Sequence, residues 1–174
     1  SEIILTNGGM VALDGDDTLD LTDTILLGDP ADRNDGIFVV NGTLTIPPAF
    51  TWTNTMIVLG TADAGFLPVD SLTVGTGATL RVDVPWIMNF PVTVANGGVM
   101  DHSQNTTGEL FKLDLTINGN LDIQTGGAID VVGKGYAAQY GKGKGGLNSG
   151  AGHGGMGGHH NPAGTFPGTT YGSM

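Results

Sequence analysis

Cysteine is absent from the 174 residues, which removes disulfides, thiolate metal sites and cysteine nucleophiles. Charge is scarce as well. Asp, Glu, Lys and Arg make up 13% of the chain, too little to give several helices their solvated outer faces. No window places apolar residues at i, i+3, i+4 and i+7, so amphipathic helices are not expected. No apolar run approaches the roughly 18 residues of a membrane span, and membrane insertion is not expected. The opening Ser1-Glu2 lacks the basic stretch that begins a secretory leader. Basic residues number only six against seventeen acids, giving a net charge of -11. Such a field repels nucleic acid and anionic membranes and suits an extracellular protein or one that takes up cations.

What is present is glycine, at 31 residues, together with frequent Thr, Val, Ile and Leu, a composition of strands and turns. A phrase recurs within it. Leu72-Thr73-Val74 leads to Gly77-Ala78-Thr79-Leu80-Arg81-Val82, and Val92-Thr93-Val94 leads to Gly97-Gly98-Val99-Met100. Leu115-Thr116-Ile117 leads to Gly126-Gly127-Ala128-Ile129-Asp130-Val131. Starts at Leu72, Val92 and Leu115 lie roughly 20 residues apart, the scale of one solenoid coil. The expected fold is all-β, a right-handed parallel β-helix (solenoid) with a Gly-rich C-terminal extension. The alternative is an antiparallel β-sandwich, with turn signals every 8–12 residues.

Three regions follow. Residues 1–36 hold nine of the seventeen acids and one base, Arg33, and read as an N-terminal strand or cap region. Leu19, Leu21 and Ile25 are read there as one alternating strand. Residues 37–131 form the solenoid body, with inward apolar residues and outward Thr, Asp and Arg81. Trp52, Trp86 and Phe90 depart from the repeat and read as core filling or packing beneath a loop. Residues 132–174 are a Gly-rich loop or extension with no acid, bearing Lys134, Lys142, Lys144 and three of the four His. This tract reads either as a low-complexity tail or as ordered loops anchored by Tyr136, Tyr140, Met156, Phe166 and Tyr171.

Thr125-Gly126-Gly127-Ala128-Ile129-Asp130-Val131, Gly133-Lys134-Gly135-Tyr136 and Gly150-Ala151-Gly152-His153-Gly154-Gly155 resemble phrases of glycine-rich bacterial cell-surface proteins. These are adhesin-like or autotransporter-like chains with right-handed parallel β-helices. The resemblance covers residues 70–174 best and is compositional. It implies secretion to the cell surface or matrix, and it carries over no catalytic residue. In such proteins further coils follow, and Thr170-Tyr171-Gly172-Ser173-Met174 resembles the start of another unit.

Several constellations merit testing as sites. Asp29, Asp32, Asn34 and Asp35 beside Gly36 supply hard oxygens from a tight turn, as Ca²⁺ requires, though not at EF-hand spacing. Asp14, Asp16 and Asp17 form a weaker cluster of the same kind. The alternative for both is a polar turn. His153, His159 and His160, spaced by glycine, are candidate ligands for Zn²⁺, Cu²⁺ or Ni²⁺, or else solvated loop residues. His102 beside Asp101 reads as a turn residue. Asn41 and Asn105 begin N-glycosylation sequons. Gly141, Gly143 and Gly146 match a dinucleotide fingerprint only because the tract is rich in glycine; no helix follows. Asp83, Asp101, Asp114, Asp122 and Asp130, near Arg81 and Lys112, are the carboxylates a polysaccharide-cleaving face would need.

The expected function is non-enzymatic: a secreted surface or matrix structural protein, or an adhesin. Its partners would be other copies, further coils of a larger chain, or cell-surface polysaccharide. One alternative is an extracellular filament subunit assembled by strand pairing or coil stacking. A second is a β-helix polysaccharide lyase or hydrolase. No cofactor is implied beyond Ca²⁺.

Overall fold

The computed structural model describes residues 2–5, 10–13, 18–21, 25–28, 37–40, 43–46, 49–60, 65–67, 70–146, 152, 157 and 166–168. Among them are seventeen short strands and no helix. The first six are β1 (Glu2–Leu5), β2 (Met10–Leu13), β3 (Thr18–Asp20), β4 (Ile25–Gly28), β5 (Ile37–Val40) and β6 (Thr43–Thr45). Then come β7 (Ala49–Trp52), β8 (Met56–Leu59), β9 (Gly65–Leu67), β10 (Ser71–Val74), β11 (Thr79–Val82) and β12 (Trp86–Met88). The last five are β13 (Val92–Val94), β14 (Val99–Asp101), β15 (Leu115–Ile117), β16 (Leu121–Ile123) and β17 (Ala128–Ile129).

Every pairing among these strands is parallel, and each joins a strand to the third one after it. The longest sheet runs β2-β5-β8-β11-β14-β17 and the next β7-β10-β13-β16. A third sheet is β3-β6-β9, with two-stranded sheets β12-β15 and β1-β4. Parallel neighbours need a long crossover. Here two further strands with their turns serve as that crossover, which is why no helix is needed. The strands of residues 1–36 therefore pair into parallel sheets with later ones, β2 with β5 and β3 with β6. Ile25 does not continue the strand of Leu19. It opens β4, which pairs with β1.

The core consists of rows of residues in register. Phe50, Leu72, Val92 and Leu121 form one row, and Trp52, Val74, Val94 and Ile123 the next. Val11, Phe38, Ile57, Leu80, Met100 and Ile129 are matched in the longest sheet. Alternation follows from the two-residue strand period: β8, β10 and β11 each alternate half-buried with buried positions. Trp52 thus occupies a slot of the repeat rather than departing from it. Its ring stacks on Phe50 at 5.5 Å, and its indole N–H donates to the Thr55 carbonyl at 3.0 Å. Trp86 and Phe90 are half-buried against the core in an edge-to-face pair at 6.3 Å.

The register also corrects the repeat. Leu115-Thr116-Ile117 is β15, stacked on β12 in another sheet. The third member of the phrase is Leu121-Asp122-Ile123, which pairs with Val92-Thr93-Val94. The spacing is then 20 residues from Leu72 to Val92 and 29 from Val92 to Leu121, because the chain makes an excursion between β14 and β15.

A stacked corner links β7, β10, β13 and β16 to the strands that follow them. Asn54, Gly77, Gly97 and Gly126 all have positive φ there, between 53° and 85°. Gly77 N–H donates to the Gly97 carbonyl and Gly97 N–H to that of Gly126, at 3.0 and 2.9 Å. One position after the positive φ, Gly98 lies so close to the backbone below that a Cβ would collide with the Val74 carbonyl oxygen. Gly98→Ala is expected to cost about 2 kcal/mol, read as a lowered urea midpoint. Gly108→Ala, where a Cβ meets nothing within 4 Å, should leave the midpoint in place.

The chain divides into two compact units. One comprises residues 1–103 and 111–131, the other 104–110 and 132–174. The first holds all seventeen strands. Among the described residues of the second there are turns and bends and no strand. Asn105 N–H donates to the Lys134 carbonyl at 3.0 Å, Ala137 N–H to that of Thr106 at 2.9 Å, and the Tyr136 hydroxyl to Glu109 at 2.8 Å.

Candidate functional site

Some sequence-derived candidates fall outside the described residues: Asp29, Asp32, Asn34 and Asp35, Asp14, Asp16 and Asp17, His153, His159 and His160, and Asn41. Among the described residues, no three His, Asp or Glu side chains gather as a metal ion would require. Asn105 is described and buried. Its side-chain amide donates to the Lys134 carbonyl at 3.2 Å, and its side-chain oxygen accepts from Leu110 N–H at 2.7 Å. A glycan on that nitrogen would have to leave from a buried side chain.

The five candidate carboxylates do not line one face. Asp101 ends β14, and Asp130 follows β17 in the same sheet. Asp122 is on β16 in a second sheet, and Asp114 precedes β15 in a third. Two of the group join a polar ladder at the same 20-residue offset as the apolar rows. Arg81 on β11 and Asp101 on β14 are register partners. The guanidinium donates from Nε to Oδ1 at 2.7 Å and from Nη2 to Oδ2 at 2.6 Å. This two-point bond raises the Arg81 pKa above the ordinary guanidinium value, against an opposing effect of burial. One step along, Asp83 accepts from Ser103 N–H at 2.6 Å and from the Ser103 hydroxyl at 2.7 Å. Asp114 is bridged by Lys112 at 2.7 Å.

His102, read from sequence as a turn residue, is buried where the chain leaves β14. Its Nδ1 lies 2.7 Å from the Ser103 carbonyl oxygen. A carbonyl only accepts, so Nδ1 carries the proton. Sequence reasoning grouped Asp83 and Asp101 near Arg81 as part of a cleaving face, whereas Asp101 pairs with Arg81 and Asp83 with Ser103. The signal that finds them together is opposite or complementary polarity at the spacing of the apolar rows.

The second feature is apolar. Val92 and Val94 are fully buried, yet their partners on β16, Leu121 and Ile123, are 41% and 44% exposed. On β17, Ile129 is 42% exposed above the buried Met100. The rows that form the core are therefore bare at their last level. A cavity of about 370 Å³ opens there, lined by Met100, Leu113, Leu115, Ile117, Leu121 and Ile129. β15, β16 and β17 each end their sheet, so each presents one strand edge that no described strand covers. A strand edge that no described strand covers, beside a half-exposed apolar row, is of the kind that can take another parallel strand.

No helix among the described residues is long and apolar enough to cross a membrane. Comparison of the chain with family models, with curated proteins and with solved structures finds no match to any of them.

Proposed function

We propose that this chain is a non-enzymatic structural protein of the cell surface or extracellular matrix, built as a right-handed parallel β-helix. The observation that carries the reading is the constant pairing offset: each paired strand meets the third one after it, always parallel. A chain that returns to its own sheet after every third strand winds, and parallel crossovers wind right-handed in nearly all proteins. Such a winding makes a stiff rod whose stability is spread over repeating neighbour contacts. The polar ladder serves the same end, since Arg81, Asp101, Asp83 and Ser103 tie one level to the next. The acidic composition and the resemblance of the Gly-rich phrases to bacterial surface proteins support an extracellular location.

The test has two arms. An antibody against the folded chain should label intact cells of the source organism or their extracellular matrix. Uronate and neutral polysaccharides incubated with the chain and Ca²⁺ should yield neither unsaturated products nor new reducing ends. Labelling confined to the cell interior, or turnover of any polymer, would overturn the reading.

A further inference from the structure

We infer that Asn118 is a site of spontaneous deamidation, converting in place to aspartate and isoaspartate, while the fold protects the same dipeptide at Asn96. The inference does not depend on the proposed function. It rests on how the structure treats two Asn-Gly pairs of the strand-bearing unit, Asn96-Gly97 and Asn118-Gly119.

The chemistry is that of a backbone nucleophile. The glycine nitrogen gives up its proton to hydroxide and attacks Cγ of the preceding asparagine. An N–Cγ bond forms, the Cγ–Nδ2 bond breaks, and ammonia leaves with a proton taken from water. Water then adds to either carbonyl of the five-membered imide and opens it to aspartate or to isoaspartate. One water is consumed and one ammonia released. Glycine as the second residue leaves the nitrogen unhindered. What the fold controls is whether the N–H is held by an acceptor and whether the side chain is free to turn.

Asn96 is exposed but tied at three points. Gly97 N–H donates to the Gly126 carbonyl at 2.9 Å, and the Asn96 carbonyl accepts from the Thr76 hydroxyl at 3.0 Å. The Asn96 Oδ1 lies against Gly126, where a Cβ would collide with it. Attack requires Gly97 to leave its acceptor and the side chain to leave Gly126.

Asn118 stands between β15 and β16, and both it and Gly119 are exposed. Asn118 N–H donates to the Met88 carbonyl at 2.8 Å, but among the described residues no acceptor takes the N–H of Gly119. The side chain has one tie, an exposed bond from Nδ2 to Asn89 Oδ1 at 2.7 Å. Water replaces such a bond at little cost. The nucleophile at Asn118 is therefore unoccupied where the one at Asn96 is held.

The two products differ in consequence. Aspartate keeps the main chain as it was, and Asn89 need only turn its amide to donate to the new carboxylate. Isoaspartate routes the main chain through its own side-chain carbons and lengthens it by one methylene just before Gly119. Gly119 is packed so closely on the Phe90–Pro91 peptide that a Cβ would stand 2.6 Å from Phe90 C and from Pro91 N. The added methylene therefore strains the entry to β16, where Leu121 meets Val92.

The experiment ages the full chain at mildly alkaline pH in heavy-oxygen water. Peptide mapping by mass spectrometry follows both asparagines, and electron-transfer fragmentation separates isoaspartate from aspartate. A parallel sample is held unfolded in urea. In the folded chain Asn118 should convert at least about tenfold faster than Asn96. In urea the two rates should converge, because both residues precede glycine. Chain with isoaspartate at position 118 should show a lowered urea midpoint, whereas Asn118→Asp should keep the wild-type one. Three results would each overturn the inference: Asn96 converting as fast as Asn118 in the folded chain, Asn118 keeping its amide after the unfolded chain has lost it, or aspartate alone as the product.

Discussion

Val94→Asp abolishes the folded state of the strand-bearing unit, whereas Thr73→Asp, the same charge change on a neighbouring strand, leaves it folded. Val94 is completely buried, between Val74 on one side and Ile123 on the other. No cation stands in that row, and the Trp52 indole N–H already donates to the Thr55 carbonyl, so an aspartate there is either an unpaired buried charge or a protonated acid in an apolar site. The cost is about 4 kcal/mol or more, a large part of the stability of a domain this size. Thr73 is half-buried on the opposite side of its strand, with Thr51 and Thr93 as register partners. Aspartate there remains in contact with water and costs well under about 1 kcal/mol. Urea unfolding followed by circular dichroism separates the two. A cooperative transition of wild-type midpoint in Val94→Asp would mean that the β13 rows are assigned to the wrong face.

Arg81→Ala carries the second largest effect. It leaves the Asp101 carboxylate, whose side chain is 8% exposed, without the guanidinium that neutralises it. Losing one member of this part-buried pair costs about 2 kcal/mol, mostly because the Asp101 charge is then less well neutralised. Adding Asp101→Ala removes that charge as well. The double variant should therefore recover most of the loss, which a double-mutant cycle reads directly.

The pH dependence follows from the direction of the Arg81 shift. A pKa raised in the folded state stabilises fully below the unfolded value and is lost only as pH rises through the folded one. The difference between wild type and Arg81→Ala should therefore stay constant from about pH 7 to about pH 10. A difference that shrinks across this window would show that the guanidinium is not the stabilising partner.

The parallel architecture was partly legible in the sequence, through Leu72-Thr73-Val74 and Val92-Thr93-Val94 at one spacing. The third level was not. Leu115-Thr116-Ile117 and Leu121-Asp122-Ile123 share one apolar-polar-apolar pattern, and a two-residue period cannot say which sheet a strand joins. Only register assigns them, to β12 and β13 respectively. Trp52 was read as core filling, which it is, but as a departure from the repeat because its size sets it apart from Val74 and Val94. The slot accepts an indole once Phe50 stacks on it and the Thr55 carbonyl takes its N–H. Arg81 and Asp101 were visible as charges. Their pairing follows from the same 20-residue offset as the apolar rows, applied to the outward positions.

The excursion between β14 and β15 has a consequence for how such a chain acquires new parts. It lengthens the spacing between register partners from 20 to 29 residues while the strands on either side keep their register. Loop closure scales with the logarithm of length, so the added residues cost only about 0.3 kcal/mol. Within this cheap insertion stands Asn105, whose backbone and side chain grip the carbonyl of Lys134 and the amide of Leu110. Thr106 and Glu109 hold Ala137 and Tyr136 from the same segment. The same few residues that lengthen this spacing thus supply the 104–110 segment of the second compact unit, while the strands on either side keep their parallel partners.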